Sequence, residues 1–284
     1  MKKVERLEGS KVQALRTQQV GFFAALFLMI AFAGPAVAAQ DKGFMTPEES
    51  AAKAKALIQR AIKAMGGEAY LKARDVYCEG RFAQFSSQGE LSGYERVYDF
   101  VMFPDKNRTE FSKKRNIIYV NNGDKAWSLD RGGVEELPDE RGKTYLEGLL
   151  TDIHHLFRFR LEEEGMVFRY AGRDMVDLKP VDWVELTDRD RRVIKIAFAQ
   201  NTGLPVRASY VTRDPETRVR TEDTEYFSNY HRMGSVETSL RVWKESNGRM
   251  TFQVFWDTCS YNTGVSETHF TREALDQLWA KLKK

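Results

Sequence analysis

The stretch YVNNGDKAWSLDRGGVEELPDE, Tyr119 to Glu140, sets a glycine, an acid and a lysine in a row, Gly123-Asp124-Lys125, ahead of Trp127. A phosphate-cradling loop of the Walker type needs a glycine, four residues, then Gly-Lys-Ser/Thr, between a strand and a helix. Here one glycine precedes the lysine, and Ala126-Trp127-Ser128-Leu129 reads as strand. Without a helix N-terminus there is no cluster of free amides to meet a phosphate. The stretch therefore reads as a hairpin turn of Asn-Gly type. His154-His155 lies on a helical pattern. Adjacent helical side chains point about 100° apart, so the two cannot share a metal as an i, i+4 pair would. With His231 and His269 they read as exposed or capping side chains. There is no Gly-x-Ser-x-Gly elbow. Glu162-Glu163-Glu164 reads as a solvated run and Asp188-Arg189-Asp190 as a turn. The sequence thus leads us to expect no catalytic residue, no metal site and no cofactor.

The cysteines are Cys78 and Cys259. In an oxidising compartment they could form one disulfide tying the first strand to a late one, and the alternative is two buried thiols. The N-terminal segment favours such a compartment. Lys2, Lys3, Arg6, Lys11 and Arg16 form a basic region, an apolar run extends from Val20 to Phe32, and small residues end at Ala38-Ala39. That is the layout of a secretory signal over residues 1–39. The apolar run falls short of the roughly 20 residues of a membrane span, with an uncleaved inner-membrane anchor as the alternative. The reading places the remainder in the periplasm. Five of the 44 Lys/Arg and two of the 41 Asp/Glu fall in that segment, so residues 40–284 are formally neutral. A nucleic-acid partner, which would need a concentrated basic face, is not expected.

The elements that follow fix the fold class. Thr46-Pro47-Glu48-Glu49 supplies an N-cap, a proline at N1 and a capping-box glutamate. Ala54, Leu57, Ile58, Ala61, Ile62 and Met65 follow at helical spacing until Gly66-Gly67, so a helix is predicted over 46–66. Then the texture changes to short β-branched and aromatic runs separated by Asn-Gly, Gly-Gly and Asp-Pro turns. No strand–helix–strand alternation appears, so the sheet is expected to be antiparallel with about ten strands. A sheet that long must curl to bury a face. Two further helices are predicted. One spans 139–161 with an apolar stripe of Tyr145, Leu146, Leu149, Leu150, Ile153, Leu156 and Phe157, and the other spans 271–284 with Leu275, Leu278 and Leu282. The fold class is mainly antiparallel β with helices (α+β), an incomplete barrel covered by helices, and residues 40–284 read as one domain.

Aromatic residues make up 12% of the chain, most of them in predicted strands. Packing accounts for any one of them, but a barrel of this size can also leave a ligand cavity, and aromatic faces suit acyl chains. The candidate lining is Phe82, Tyr98, Phe100, Trp127, Leu149, Ile153, Phe157, Trp183, Phe198 and Tyr210. The order of elements resembles the periplasmic lipoprotein carriers and outer-membrane lipoprotein-sorting proteins (LolA- and LolB-like) over roughly residues 46–262. The resemblance rests on VYCEGRF, on Phe103-Pro104-Asp105-Lys106-Asn107-Arg108-Thr109-Glu110-Phe111, on NNGDKAWSL in the place of a DGKxLW turn, and on TGLPVRASYV. It implies a half-barrel around a hydrophobic cavity that accepts acyl chains of lipid or lipoprotein, with the 139–161 helix as a lid. It also implies an arginine that contacts the lid, for which Arg96 and Arg108 are nearest and Arg108, after Pro104, is preferred. The expected protein is a monomeric carrier and not an enzyme, with an envelope membrane protein as a further partner. An envelope sensor or scaffold on the same fold, and an envelope hydrolase, are the alternatives.

Overall fold

The computed structural model describes residues 45–213 and 219–283. The secretory-signal reading of residues 1–39 lies outside them. The chain opens with α1, Pro47–Met65, whose capping box is formed: Glu49 N donates to Thr46 Oγ1 at 3.2 Å and Thr46 N to Glu49 Oε2 at 2.9 Å. Such a cap is worth about 1 kcal/mol. A short α2, Glu68–Leu71, follows.

Six strands come next: β1 (Asp75–Phe85), β2 (Leu91–Met102), β3 (Lys106–Phe111), β4 (Ile117–Asn122), β5 (Lys125–Asp130) and β6 (Gly133–Glu136). Seven more follow a helical connection: β7 (Val167–Val176), β8 (Lys179–Thr187), β9 (Val193–Ala199), β10 (Pro205–Arg213), β11 (Arg220–Met233), β12 (Val236–Ser246) and β13 (Arg249–Tyr261). All thirteen belong to one antiparallel sheet in the order β6-β5-β4-β3-β2-β1-β13-β12-β11-β10-β9-β8-β7. The sequence expectation is ten or so strands, and the short runs NRTEFS, NIIYV, KAWSL and VEEL each correspond to a strand, β3 to β6. The sheet stays open, with β6 and β7 as its edges. Every ladder but one joins strands consecutive in the chain. The exception, β1 with β13, sets Cys78 directly opposite Cys259, and a disulfide joins them.

Period-two alternation gives the sheet two differently occupied faces. On one, α1 buries Ala54, Ile58, Ala61, Ile62 and Met65 against Val184, Leu186, Ile194, Ile196 and Phe198. On the other, Ile118, Val120 and Leu129 are covered by the C-terminal segment, a 3₁₀ turn at Glu267–Phe270 followed by α5, Arg272–Leu282, through Phe270 and Leu275. That gives the C-terminal helix, read from sequence as 271–284, its structural role. Thr271 caps it, accepting from Ala274 N at 3.4 Å.

The single helix read over 139–161 is broken. It consists of α3 (Asp139–Leu149), α4 (Ile153–His155) and a π-helical turn, Leu156–Arg160. The break has a local cause. Thr151 Oγ1 donates back to Gly148 O at 3.1 Å, and the Asp152 carboxylate accepts from His155 N at 2.6 Å, which caps a new helix. Arg160 pins the far end, donating to Leu150 O and ion-pairing with Glu163 at 2.8 Å and Asp188 at 3.1 Å. The near end rests on the Gly123-Asp124-Lys125 turn. Lys125 Nζ meets Asp139 Oδ1 at 3.1 Å, and Gly142 is packed so closely that a Cβ there would overlap the Asp124 carbonyl oxygen.

Two stability measurements check this reading. On an exposed helix Gly→Ala gains about 1 kcal/mol. Here Gly142→Ala is expected to destabilise by about 1–3 kcal/mol through overpacking and to raise amide exchange across Asp139–Leu149. Arg108 is buried, bonds Glu110 at 2.7 Å and donates to His269 O at 3.0 Å, so it clasps the C-terminal segment. Removing one partner of such a buried pair is strongly destabilising. Arg108→Ala should cost about 3 kcal/mol in urea unfolding and loosen Glu267–Leu282. An unchanged exchange pattern there would count against the clasp.

Candidate functional site

A cavity of about 360 Å³ opens between the helical connection and the sheet. Tyr145 and Leu149 of α3, then Asp152, His154, His155 and Arg158, form one wall. The opposite wall carries Val76 and Cys78 of β1, Asp99 and Val101 of β2, Glu225 and Phe227 of β11, Val242 of β12, and Phe252, Val254 and Trp256 of β13. The paired strands β1 and β13 thus contribute to the same wall. Most of this surface is apolar, with polar groups set into it.

Those polar groups are held in defined ways. Asp99 accepts from Thr109 Oγ1 at 2.7 Å and Asn107 Nδ2 at 2.9 Å, and burial raises its carboxyl above the usual range despite those bonds. His154 Nδ1 and Tyr70 Oη lie 2.9 Å apart. Burial pushes both toward their neutral forms, lowering the imidazole pKa and raising the phenol's. Tyr145 is likewise pushed up by burial. Glu225 is raised to about 7, first by desolvation and then by the Asp152 charge, with Lys244 opposing. Lys244 donates to Tyr210 Oη at 2.8 Å and pairs with Asp223 at 3.3 Å. The wall hydroxyls are also engaged: Ser239 Oγ donates to Ser228 O, and Thr238 Oγ1 meets Tyr261 Oη. Neither contacts a histidine or carboxylate, so these hydroxyls lack the adjacent base that nucleophilic catalysis requires. Among the described residues no group of three or more His, Cys, Asp or Glu is placed to hold a metal ion.

Of the ten residues read from sequence as lining, the structure places Leu149 on the cavity. Phe82 lies just beyond it, stacked on Phe252 with ring centroids 5.8 Å apart. Ile153, Phe157 and Phe198 are in the core beneath α1, with Tyr210 packed against them. The remaining four fail on strand parity. Asp99 and Val101 face the cavity, so Tyr98 and Phe100 face the other way, under Arg115 and His269. Trp127 belongs to the cluster under α5, and Trp183 to a patch with Val176, Val181 and Ala197. Arg108, expected at the lid, instead sits in the C-terminal clasp, on the same face as Ile118 and Val120. His154, expected exposed, is half-buried on Tyr70.

Sequence reading passed over Arg158, Glu225, Asp99 and Tyr70. A signal was present for two of them. Glu225 stands two residues before Phe227, and Asp99 two before Val101, so period two sets each acid on the face of an apolar neighbour.

Glu225 gives the site a pH signature. A carboxyl whose pKa rises on folding stabilises the fold fully below its unfolded value of 4.5, and that contribution is lost as pH climbs through about 7. Glu225→Gln is therefore expected to raise the Tm at pH 8 relative to the parent and to change it little at pH 4.5. Parallel melts with the same offset at both values would contradict the assignment.

No protein-family model and no curated protein sequence matches the chain. Solved structures do. A DUF1329 family protein from Desulfovibrio piger is similar with a TM-score of 0.53 at 16% identity, over 78% of this chain and 98% of the other. A domain assigned to outer membrane lipoprotein sorting, from Vibrio parahaemolyticus, gives 0.52 at 13%, over 81% and 100%. A LolA superfamily protein from Nitrosomonas europaea gives 0.51 at 10%, over 78% and 99%. With its open antiparallel sheet and crossing helices, the chain has the LolA-like fold.

Proposed function

We propose that this chain is a binding protein of the cell envelope that holds an acyl chain of lipid or lipoprotein in the cavity and carries or sorts that cargo without covalent chemistry. The observation that carries the reading is the cavity beneath the helical connection, walled by Val76, Val101, Leu149, Phe227, Val254 and Trp256. Its volume lies at the low end of the roughly 300–1,000 Å³ of ligand sites. Acyl chains suit such a wall because they lose nothing by leaving water, each buried methylene contributing about 0.8 kcal/mol. The fold likeness to a lipoprotein-sorting domain supports the reading at the level of fold. A sensor or scaffold would work equally well with a filled interior, so the open volume favours cargo. No helix among the described residues is long and apolar enough to cross a membrane.

The test is uptake of a fluorescent fatty-acyl probe, alongside native mass spectrometry of protein purified from an envelope fraction. Saturable uptake and co-purifying lipid are expected. Val254→Asp, which sets a charge on the apolar wall, should weaken uptake at least about tenfold. Wild-type affinity in that variant would move the probe out of this cavity, and no uptake at all by the parent would sink the reading.

A further inference from the structure

Arg158 is the one Lys or Arg among the described residues that line the cavity. Its guanidinium lies between two aromatic rings, 4.2 Å from the centre of Tyr70 and 3.9 Å from that of Phe103. Nε and Nη1 are buried and have no hydrogen-bond partner, and Arg158 forms no ion pair among the described residues. The neighbouring cations are committed elsewhere: Arg160 to Glu163 and Asp188, Lys244 to Asp223 and Tyr210. An arginine carries five donors in a rigid fork and keeps its charge even when buried. A buried cation without a counter-ion is costly, and stacking on two rings offsets only part of that cost.

The acids on the walls do not serve as that counter-ion. Asp99 is bonded to Thr109 and Asn107. Asp152 caps His155 N. Asp152 acts on Arg158 through its charge without forming an ion pair with it, and the charges acting on Glu225 are those of Asp152, Lys244 and Asp223. Glu237, the fourth acid, forms no ion pair with Arg158 either. The cavity therefore combines an apolar wall with one forked cation whose Nε and Nη1 have no hydrogen-bond partner.

Resting on the acyl-binding reading above, we propose that the ligand is a single-chain amphiphile with an anionic head, its carboxylate or phosphate seated on Arg158 and its chain along Val242, Val254, Phe227 and Trp256. The volume of about 360 Å³ suits one chain better than several. The carboxylate or phosphate supplies the acceptors that Arg158 lacks, in the fork geometry that arginine favours. Tyr70 and Phe103 hold the guanidinium in place before the ligand arrives, so less ordering is needed on binding.

The experiment is calorimetric titration of the protein, at pH 7, with three ligands of equal chain length: a fatty acid, a lysophosphatidic acid and the fatty alcohol. Either anion is expected to bind about ten- to a hundredfold more tightly than the alcohol, and the ranking of the two anions identifies the head group. Arg158→Met and, as a second neutral variant, Arg158→Gln should collapse that ratio toward one. Equal affinity for anion and alcohol in the parent, or an unchanged ratio in a folded variant, overturns the head-group assignment and leaves acyl binding standing. Failure of all three ligands to bind the parent overturns the acyl reading and this one together.

Discussion

The structure depends on one strand pairing. All thirteen strands could be laid down as two runs of local hairpins, the six from β6 to β1 and the seven from β13 to β7. Only the ladder between β1 and β13, with Cys78 bonded to Cys259, makes them one sheet. The two cysteines are 181 residues apart, so this contact requires a long loop to close, whereas the hairpins require almost none. Long-range pairing of this kind is slow relative to local turns. Because Val76, Cys78, Val254 and Trp256 lie on the seam and on the cavity wall alike, the cavity cannot exist before the seam does.

Once the seam is closed, the sheet must satisfy two faces with one alternating sequence. It does so by giving each face its own cover. Residues such as Ile118, Val120 and Leu129 meet the C-terminal segment, while Val184, Leu186 and Ile196 meet α1. Buried charge follows the same division. Arg108, Glu110 and Arg115 form a closed group under the C-terminal segment, and Arg160 with Asp188 and Arg192 closes the end of the helical connection. Arg158, on the cavity wall, differs from those ion-paired groups: the guanidinium lies over two rings.

Much of the fold was legible because it is written locally. The capping box at Thr46, the stop at Gly66 and the hairpin turns are short-range chemistry, and each appears where those residues stand. The site was less legible because it is assembled from parity and register. A one-residue difference in phase separates Asp99, on the cavity, from Phe100, on the outer face, and aromatic character alone pointed to the wrong member of the pair. The break at Leu150–Asp152 was hidden for a similar reason. The apolar spacing continues through it, and only the side-chain bonds of Thr151 and Asp152 interrupt the backbone. The Gly-Asp-Lys turn, which resembles a phosphate loop on the page, serves as the seat for α3 through Lys125 and the close approach at Gly142.

The edges of the sheet, β6 and β7, are neighbours in the chain, and the helical connection that crosses the cavity is what joins them. That makes the cover a strap and not a flap: both of its ends are sewn into opposite rims, and it has no free tip to lift. A strap of fixed length can uncover what lies beneath it only by bowing, for instance at the break over Leu150–Asp152, or by letting the rims move toward each other. On the proposed acyl-binding role, entry to the cavity would be coupled to the curvature of the sheet, and what stiffens the seam between β1 and β13 would stiffen the strap as well.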